Sequence, residues 1–214
     1  SGVEQEDMTT LRTLFDTPAK ARMSAKEYLN HPSSAQKSDL IEGVFVMASP
    51  APFQHEDIQS FQITTLSNFV EYNQLGKVMG PNTAYRLSES NVFQPDVSFI
   101  SQERLHLAAK VFFQGPPDIA IEIISPSSRH YDEVEKKINY ARFGVKEYWL
   151  VDPILDEAII YSQHSGELIP LQDEADVIRS QVLDGYWLSL EWLFPSAEAQ
   201  RPGVLEVAKL HGLL

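Results

Sequence analysis

No cysteine occurs among the 214 residues of the chain. That absence excludes disulfides, a thiol nucleophile and any thiolate-ligated zinc site. A run of about 18 apolar residues is also missing, so no membrane-spanning helix is expected. There are no Gly/Ser linkers, internal repeats or low-complexity tracts. One domain over residues 1–214 is therefore expected, with a core at about 25–165 and a C-terminal extension over 166–214. The N-terminus shows no basic segment leading into an apolar one; no secretory signal is read there, and the cytoplasm is the expected compartment. Positive charge is scarce, with 17 Lys and Arg against 30 Asp and Glu and a formal net charge of −13. Such a balance opposes indiscriminate polyanion binding, which needs a positive footprint.

The deficit is uneven. Between residues 152 and 198 ten acids stand against the lone Arg179. Between 129 and 146 the order reverses, with Arg129, Lys136, Lys137, Arg142 and Lys146 against Asp132, Glu133 and Glu135. An acidic protein with one locally basic stretch keeps a nucleic-acid substrate within reach.

Hydrophobic patterning outlines an α/β chain. Ser24 can cap a short helix in "AKEYLNH", and "DLIEGVFVMA" (39–48) reads as a hairpin turning at Gly43. A long helix over 54–75 collects Ile58, Phe61, Thr65, Leu66 and Phe69 on one face, with Gly76 as its stop. Strands are expected near 77–80, 83–87, 91–100 and 118–124. A helix over about 130–143, ended by Gly144, and a buried strand over 146–153 complete a βαβ-like unit. The segments "EAIIYSQ", "GELIPLQ" and "VIRSQVL" alternate like an antiparallel meander, and the tail from Pro195 is helical or irregular.

Two acids interrupt apolar strands. Glu122 lies inside Ile119-Ala120-Ile121-Glu122-Ile123-Ile124, and Asp96 precedes Val97, Phe99 and Ile100. A carboxylate so placed costs several kcal/mol unless it is paired or metal-bound. On neighbouring strands the two would converge, and with a backbone carbonyl such as that of Ile123 and waters they would suit Mg²⁺ or Mn²⁺. The other reading places each acid at a solvated strand end.

These residues carry a resemblance. "QPD", then "IAIEIISPSS", then "YDEVEKKINYARFGVKEYWLVDP" resemble the PD-(D/E)xK nuclease superfamily and, more narrowly, the Uma-type family labelled putative restriction endonucleases, over roughly residues 25–165. The resemblance implies a restriction-endonuclease-like core, a mixed sheet flanked by helices, followed here by the antiparallel C-terminal extension. It implies Mg²⁺- or Mn²⁺-dependent cleavage of phosphodiesters in nucleic acid, DNA first, with a homodimer by analogy. Asp96 and Glu122 match the metal-binding acids. The position two after Glu122, where the superfamily carries lysine, is Ile124; the family pattern Asp-x-x-x-Lys-x-x-x-Tyr moves the lysine onto the next helix, at Asp132, Lys136 and Tyr140.

Helical geometry leaves a choice between two lysines. Tyr131, Val134, Ile138 and Ala141 form the apolar stripe of an ideal helix, bordered by Lys137, while Lys136 and Tyr140 share the other side. The family register points to Lys136, which would assist the attacking water or neutralise developing phosphate charge. Glu42 matches a family acid that faces the metal, and equally reads as an ordinary acid beside a hairpin glycine. His55 matches a family histidine but reads first as a packing residue, and His130 as an exposed one. Tyr148 and Trp149 read as core, and Asp152 as the close of its strand. A retired nuclease fold acting as a binding or assembly module is the competing expectation, favoured by the acidic balance and the absent in-strand lysine.

Overall fold

The computed structural model describes residues 22–171 and 174–214. The N-terminal stretch read for a secretory signal, and Asp173 of the acidic region, lie outside the described residues. Ser24 starts helix α1 (Ala25–Asn30) through a capping box. Its Oγ accepts the Glu27 N–H at 3.2 Å, while the Glu27 carboxylate accepts the Ser24 N–H at 2.6 Å, so two otherwise orphaned donors are satisfied reciprocally. The expected hairpin follows as β1 (Ser38–Ile41) and β2 (Val44–Met47). Glu42 and Gly43 at its tip have φ of 47° and 80°, the left-handed pair whose twist suits the flanking strands.

The long helix α2 (Phe53–Tyr72) buries the expected face of Ile58, Phe61, Thr65, Leu66 and Phe69. It stops short of Gly76: Asn73 caps it and Gln74 takes φ 53°. Gly76 instead opens β3 (Gly76–Met79), where a Cβ would stand 2.0 Å from the Ile100 carbonyl oxygen. Close strand contact, not helix termination, requires that glycine.

β4 (Tyr85–Arg86) and β5 (Val92–Phe93) precede β6 (Val97–Ser101). The single strand expected over 91–100 is therefore broken, and the chain changes sheets across Gln94-Pro95-Asp96. Pro95 has no N–H to give a ladder, and the Gln94 N–H goes to Asp39 Oδ1 at 2.7 Å. With β7 (Phe113–Gln114), the first group forms a five-stranded sheet ordered β2-β1-β5-β4-β7.

The larger sheet is built on β8 (Ile119–Ile123), β9 (Glu147–Asp152), β10 (Glu157–His164) and β11 (Glu167–Pro170), and runs β11-β10-β9-β8-β6-β3. β8 and β9 are parallel and their other neighbours antiparallel, so the sheet is mixed. A π-helical turn (Tyr131–Lys136) and helix α3 (Lys137–Phe143) connect them, stopped by Gly144 at φ 86°. β9, β10 and β11 form the antiparallel meander expected. "VIRSQVL" does not extend it. Instead β12 (Val177–Arg179) pairs with β13 (Trp187–Ser189) in a separate antiparallel sheet. The buried Glu147 carboxylate turns the chain away by accepting Ser180 Oγ–H at 2.8 Å and the N–H groups of Gln181 and Val182 at 2.6 and 3.1 Å. Helices α4 (Leu190–Leu193) and α5 (Val204–Leu210) finish the chain, the last packing on α2.

β8 is buried on both faces, as a central strand must be. Ile119, Ile121 and Ile123 join Trp149 and Val151 against α2, while Ala120 and Ile124 join Tyr140, Tyr148 and Leu150 on the other side. Tyr148 and Trp149 are thus core residues, as read. Among the described residues no helix is long and apolar enough to cross a membrane.

Candidate active site

Antiparallel pairing of β6 with β8 sets Val97 opposite Ile121 and Ser98 opposite Ala120. Continued by one residue, this register brings Asp96 beside Glu122, and opposite residues of such a pair share a face. The Ile123 N–H locks the arrangement by donating to Asp96 Oδ2 at 2.7 Å. Asp96, Glu122 and Ile123 all line a cleft of about 790 Å³ that also receives Lys37, Asp39, His55 and Lys136.

Each carboxylate of the pair carries its own ammonium. Lys37, just before β1, contacts Asp96 Oδ1. Lys136 Nζ stands 2.8 Å from Glu122 Oε1, 3.2 Å from Asp39 Oδ2 and 3.5 Å from Asp132 Oδ1. Burial alone would push the Lys136 ammonium down; Asp39, Glu122 and Asp132 more than offset it and hold the group well above its ordinary range. Lys37 differs: burial pushes it down, and its facing acids do not restore it.

The π turn explains why Lys136 reaches the cleft. An ideal α-helix sets Tyr131 and Lys136 about 140° apart, whereas a π turn closes i to i+5 and puts residues five apart on one face. Tyr131, Asp132, Lys136 and Tyr140 are all buried, and Ile138 of the expected apolar stripe is 60% exposed. Lys137, held in reserve on helical geometry, turns away and lies 3.9 Å over the Tyr161 ring.

Tyrosine hydroxyls wire the acids in place. Tyr140 donates to Glu122 Oε1 at 2.9 Å, Tyr131 to Asp39 Oδ2 at 3.2 Å and Tyr148 to the Asp132 carbonyl at 2.8 Å. His55 Nε2 faces Asp96 Oδ2 at 3.3 Å. Burial and then Lys37 push that imidazole down, so it is neutral at neutral pH.

Glu42 is placed elsewhere. Its left-handed position on the hairpin tip sends a half-exposed side chain to Arg142 Nη1 at 3.2 Å, and it does not line the cleft. The acid that β1 supplies to the site is Asp39, three residues earlier. No sequence signal singled out Lys37, whereas Asp39 resembles Glu122 as an acid inside a buried strand. His130 is half-buried outside the cleft lining. Asp152 closes β9 as expected, accepting the N–H groups of Ile154 and Leu155 at 3.0 and 3.2 Å and a two-pronged contact from Arg129.

Asp132 is the acid whose charge the fold opposes most clearly. Burial raises its pKa to about 7, against the Lys136 attraction that lowers it. Its proton is held more tightly in the folded chain than in the unfolded one, where a carboxyl titrates near 3.9. The resulting stabilisation is complete below about pH 4 and is lost as pH rises through about 7. Urea midpoints of the metal-free protein are therefore expected to carry a falling component of about 2 kcal/mol between pH 5 and 7.5. Asp132→Asn is expected to flatten it; an unchanged slope in that variant refutes the assignment.

Chemically the donor set is hard oxygen. Among the described residues no three His, Asp or Glu side chains gather as a complete ion cage. Two carboxylates on adjacent strands nonetheless fit Mg²⁺, which keeps several waters and takes one or two carboxylates plus substrate phosphate.

A comparison with solved structures finds similarity to a putative nuclease belonging to DUF820 from Anabaena variabilis ATCC 29413. The TM-score is 0.68 and the identity 21%, covering 80% of this chain and 97% of that one. At that identity the likeness establishes the fold, a mixed sheet flanked by helices. No curated protein matches. The profile of the Uma2 family, described as putative restriction endonuclease, matches residues 25–191, which include Asp39, Asp96, Glu122, Lys136 and the whole βαβ unit. The chain belongs to the Uma2 family of putative restriction endonucleases.

Proposed function

We propose that this protein is a metal-dependent endonuclease that hydrolyses phosphodiester bonds of nucleic acid, with DNA as the first substrate to test. The observation that carries the proposal is the meeting of Asp96 and Glu122 in one cleft beyond the end of the β6–β8 ladder, with the Lys136 ammonium 2.8 Å from Glu122. Asp96, Glu122 and the Ile123 carbonyl would hold Mg²⁺ or Mn²⁺. When bound, such an ion polarises a phosphate oxygen and lowers the pKa of its water.

The chain's own groups do the rest. Asp39, Glu122 and Asp132 keep Lys136 protonated, so it serves as a fixed positive charge and hydrogen-bond donor to the developing phosphorane charge, not as a base. Tyr140 orients Glu122 from the other side. A binding module that retains the nuclease fold is the second reading, favoured by the two ion pairs that close Asp96 and Glu122.

Cleavage of supercoiled plasmid and of single-stranded oligonucleotides, in Mg²⁺, Mn²⁺ and EDTA, separates these readings. Lys136→Met is expected to slow metal-dependent cleavage by about a hundredfold, while Lys137→Ala stays within about twofold because its ammonium sits outside the cleft. Wild-type protein that cuts neither substrate in either metal decides for the binding module.

A further inference from the structure

Lys37 and Lys136 neutralise the same acid pair in different ways. Lys136 is buried to 3% exposure and shared among three carboxylates within 3.5 Å. Lys37 contacts one carboxylate, Asp96, and keeps a quarter of its side chain exposed at the cleft. It stands at the residue before β1, on the hairpin of the smaller sheet, whereas Asp96 immediately precedes β6 of the larger one. No backbone ladder ties the two groups to one another. Asp96 has already committed Oδ2 to the Ile123 N–H, so Lys37 occupies the remaining oxygen, Oδ1.

The ammonium groups of the cleft also differ in how firmly they are held. Asp39, Asp96, Glu122 and Asp132 face Lys37 and Lys136 across the cleft. A divalent cation ligated by Asp96 Oδ1 takes the oxygen that Lys37 holds, and that ammonium, on a flexible stem with one carboxylate contact among the described residues, leaves at least cost. Lys136, held by three acids, stays.

Resting on the metal-dependent reading above, we infer that Lys37 is a resident counter-ion: it holds Asp96 in the metal-free protein, competes with the divalent cation for Oδ1, and on displacement turns its ammonium to a nucleic-acid phosphate in the cleft. The inference gives Lys37 two effects of opposite sign. It weakens metal binding, and it strengthens nucleic-acid binding once metal is present.

The test compares wild type, Lys37→Met and Lys37→Arg by calorimetry with Mn²⁺, and by binding of a short duplex oligonucleotide in Ca²⁺. Lys37→Met is expected to bind Mn²⁺ about tenfold tighter, the equivalent of about 1.4 kcal/mol, and the oligonucleotide several-fold weaker. Lys37→Arg, which keeps a charge on Asp96, is expected to return both toward wild type. A thermal melt in EDTA shows whether each variant is folded at the titration temperature. Wild type and Lys37→Met that bind Mn²⁺ equally overturn the inference alone and leave the metal site standing. Tighter Mn²⁺ binding with unchanged oligonucleotide binding overturns the phosphate half. Folded proteins of which none binds Mn²⁺ overturn the inference together with the metal-dependent reading, and Mn²⁺ binding that appears only in Lys37→Met supports competition directly.

Discussion

Glu122→Ala is expected to abolish Mg²⁺ and Mn²⁺ binding and to lower nucleic-acid cleavage by about a thousandfold or more, with the fold retained. The activity loss follows from position. Glu122 is 1% exposed, lies in the row of β8 that faces the cleft, and is paired by register with Asp96. No other acid on β8 can replace it, because period-2 alternation sends Ile121 and Ile123 to the opposite face. Retention of the fold follows from the company of Lys136. A buried charge left without a partner costs about 3–5 kcal/mol, but here Asp39 and Asp132 remain at 3.2 and 3.5 Å. A stability loss of about 1–2 kcal/mol is therefore expected, less for Glu122→Gln, which can still accept from Tyr140. Calorimetry with Mn²⁺, a plasmid-cleavage assay and a thermal melt measure the three quantities. Equal metal affinity in wild type and variant sinks the assignment of Glu122 as a ligand.

The largest expected stability effect lies away from the cleft, at Glu147. Its buried carboxylate accepts four hydrogen bonds, from Trp149 Nε1 at 2.9 Å, Ser180 Oγ at 2.8 Å, Gln181 N at 2.6 Å and Val182 N at 3.1 Å. Three of the four donors belong to the segment leading out of β12, so a single side chain clamps the C-terminal sheet to the strand that starts its meander. Alanine leaves those donors buried and unpaired, at about 1–3 kcal/mol each for those that water cannot reach. Glu147→Ala is expected to cost about 3–5 kcal/mol and to split unfolding into two steps, the C-terminal segment detaching first. Urea unfolding followed by both far-ultraviolet circular dichroism and tryptophan fluorescence detects the split as non-coincident curves. A coincident transition shifted by less than about 1 kcal/mol shows that the clamp contributes little.

How far the sequence speaks can be seen residue by residue. That Asp96 and Glu122 share one cleft was legible because a carboxylate in or beside a buried apolar strand must find a partner. Lys136 was legible through the family register, whereas ideal helical geometry left it in competition with Lys137. The missing information was the π turn, a winding that no apolar period announces. Glu42 lies outside the cleft because its left-handed place at the hairpin tip sends its side chain to Arg142, while Asp39 of β1 takes the inward position. Lys37 had no local signal at all, since its partner Asp96 lies 59 residues away in sequence. The separate β12–β13 sheet was hidden for a similar reason. Alternation foretells a strand but not which edge it joins, and here a distant buried Glu147 decides.

The change of sheets at Gln94-Pro95-Asp96 has a consequence for how this chain can vary. Only three residues separate Phe93 from Val97, and both ends are buried in different sheets. One residue gained or lost there would rotate Asp96 onto the α2 side of the sheet or drag a whole strand out of register. The link is a length-locked seam: its side chains are open to exchange within limits, but its residue count is not. The Glu42–Gly43 tip is fastened as well: Gly43 is buried, its N–H donates to the Ser90 carbonyl at 2.8 Å, and its own carbonyl accepts the Met23 N–H at 2.8 Å. Relatives of this chain are therefore expected to agree in length at the seam.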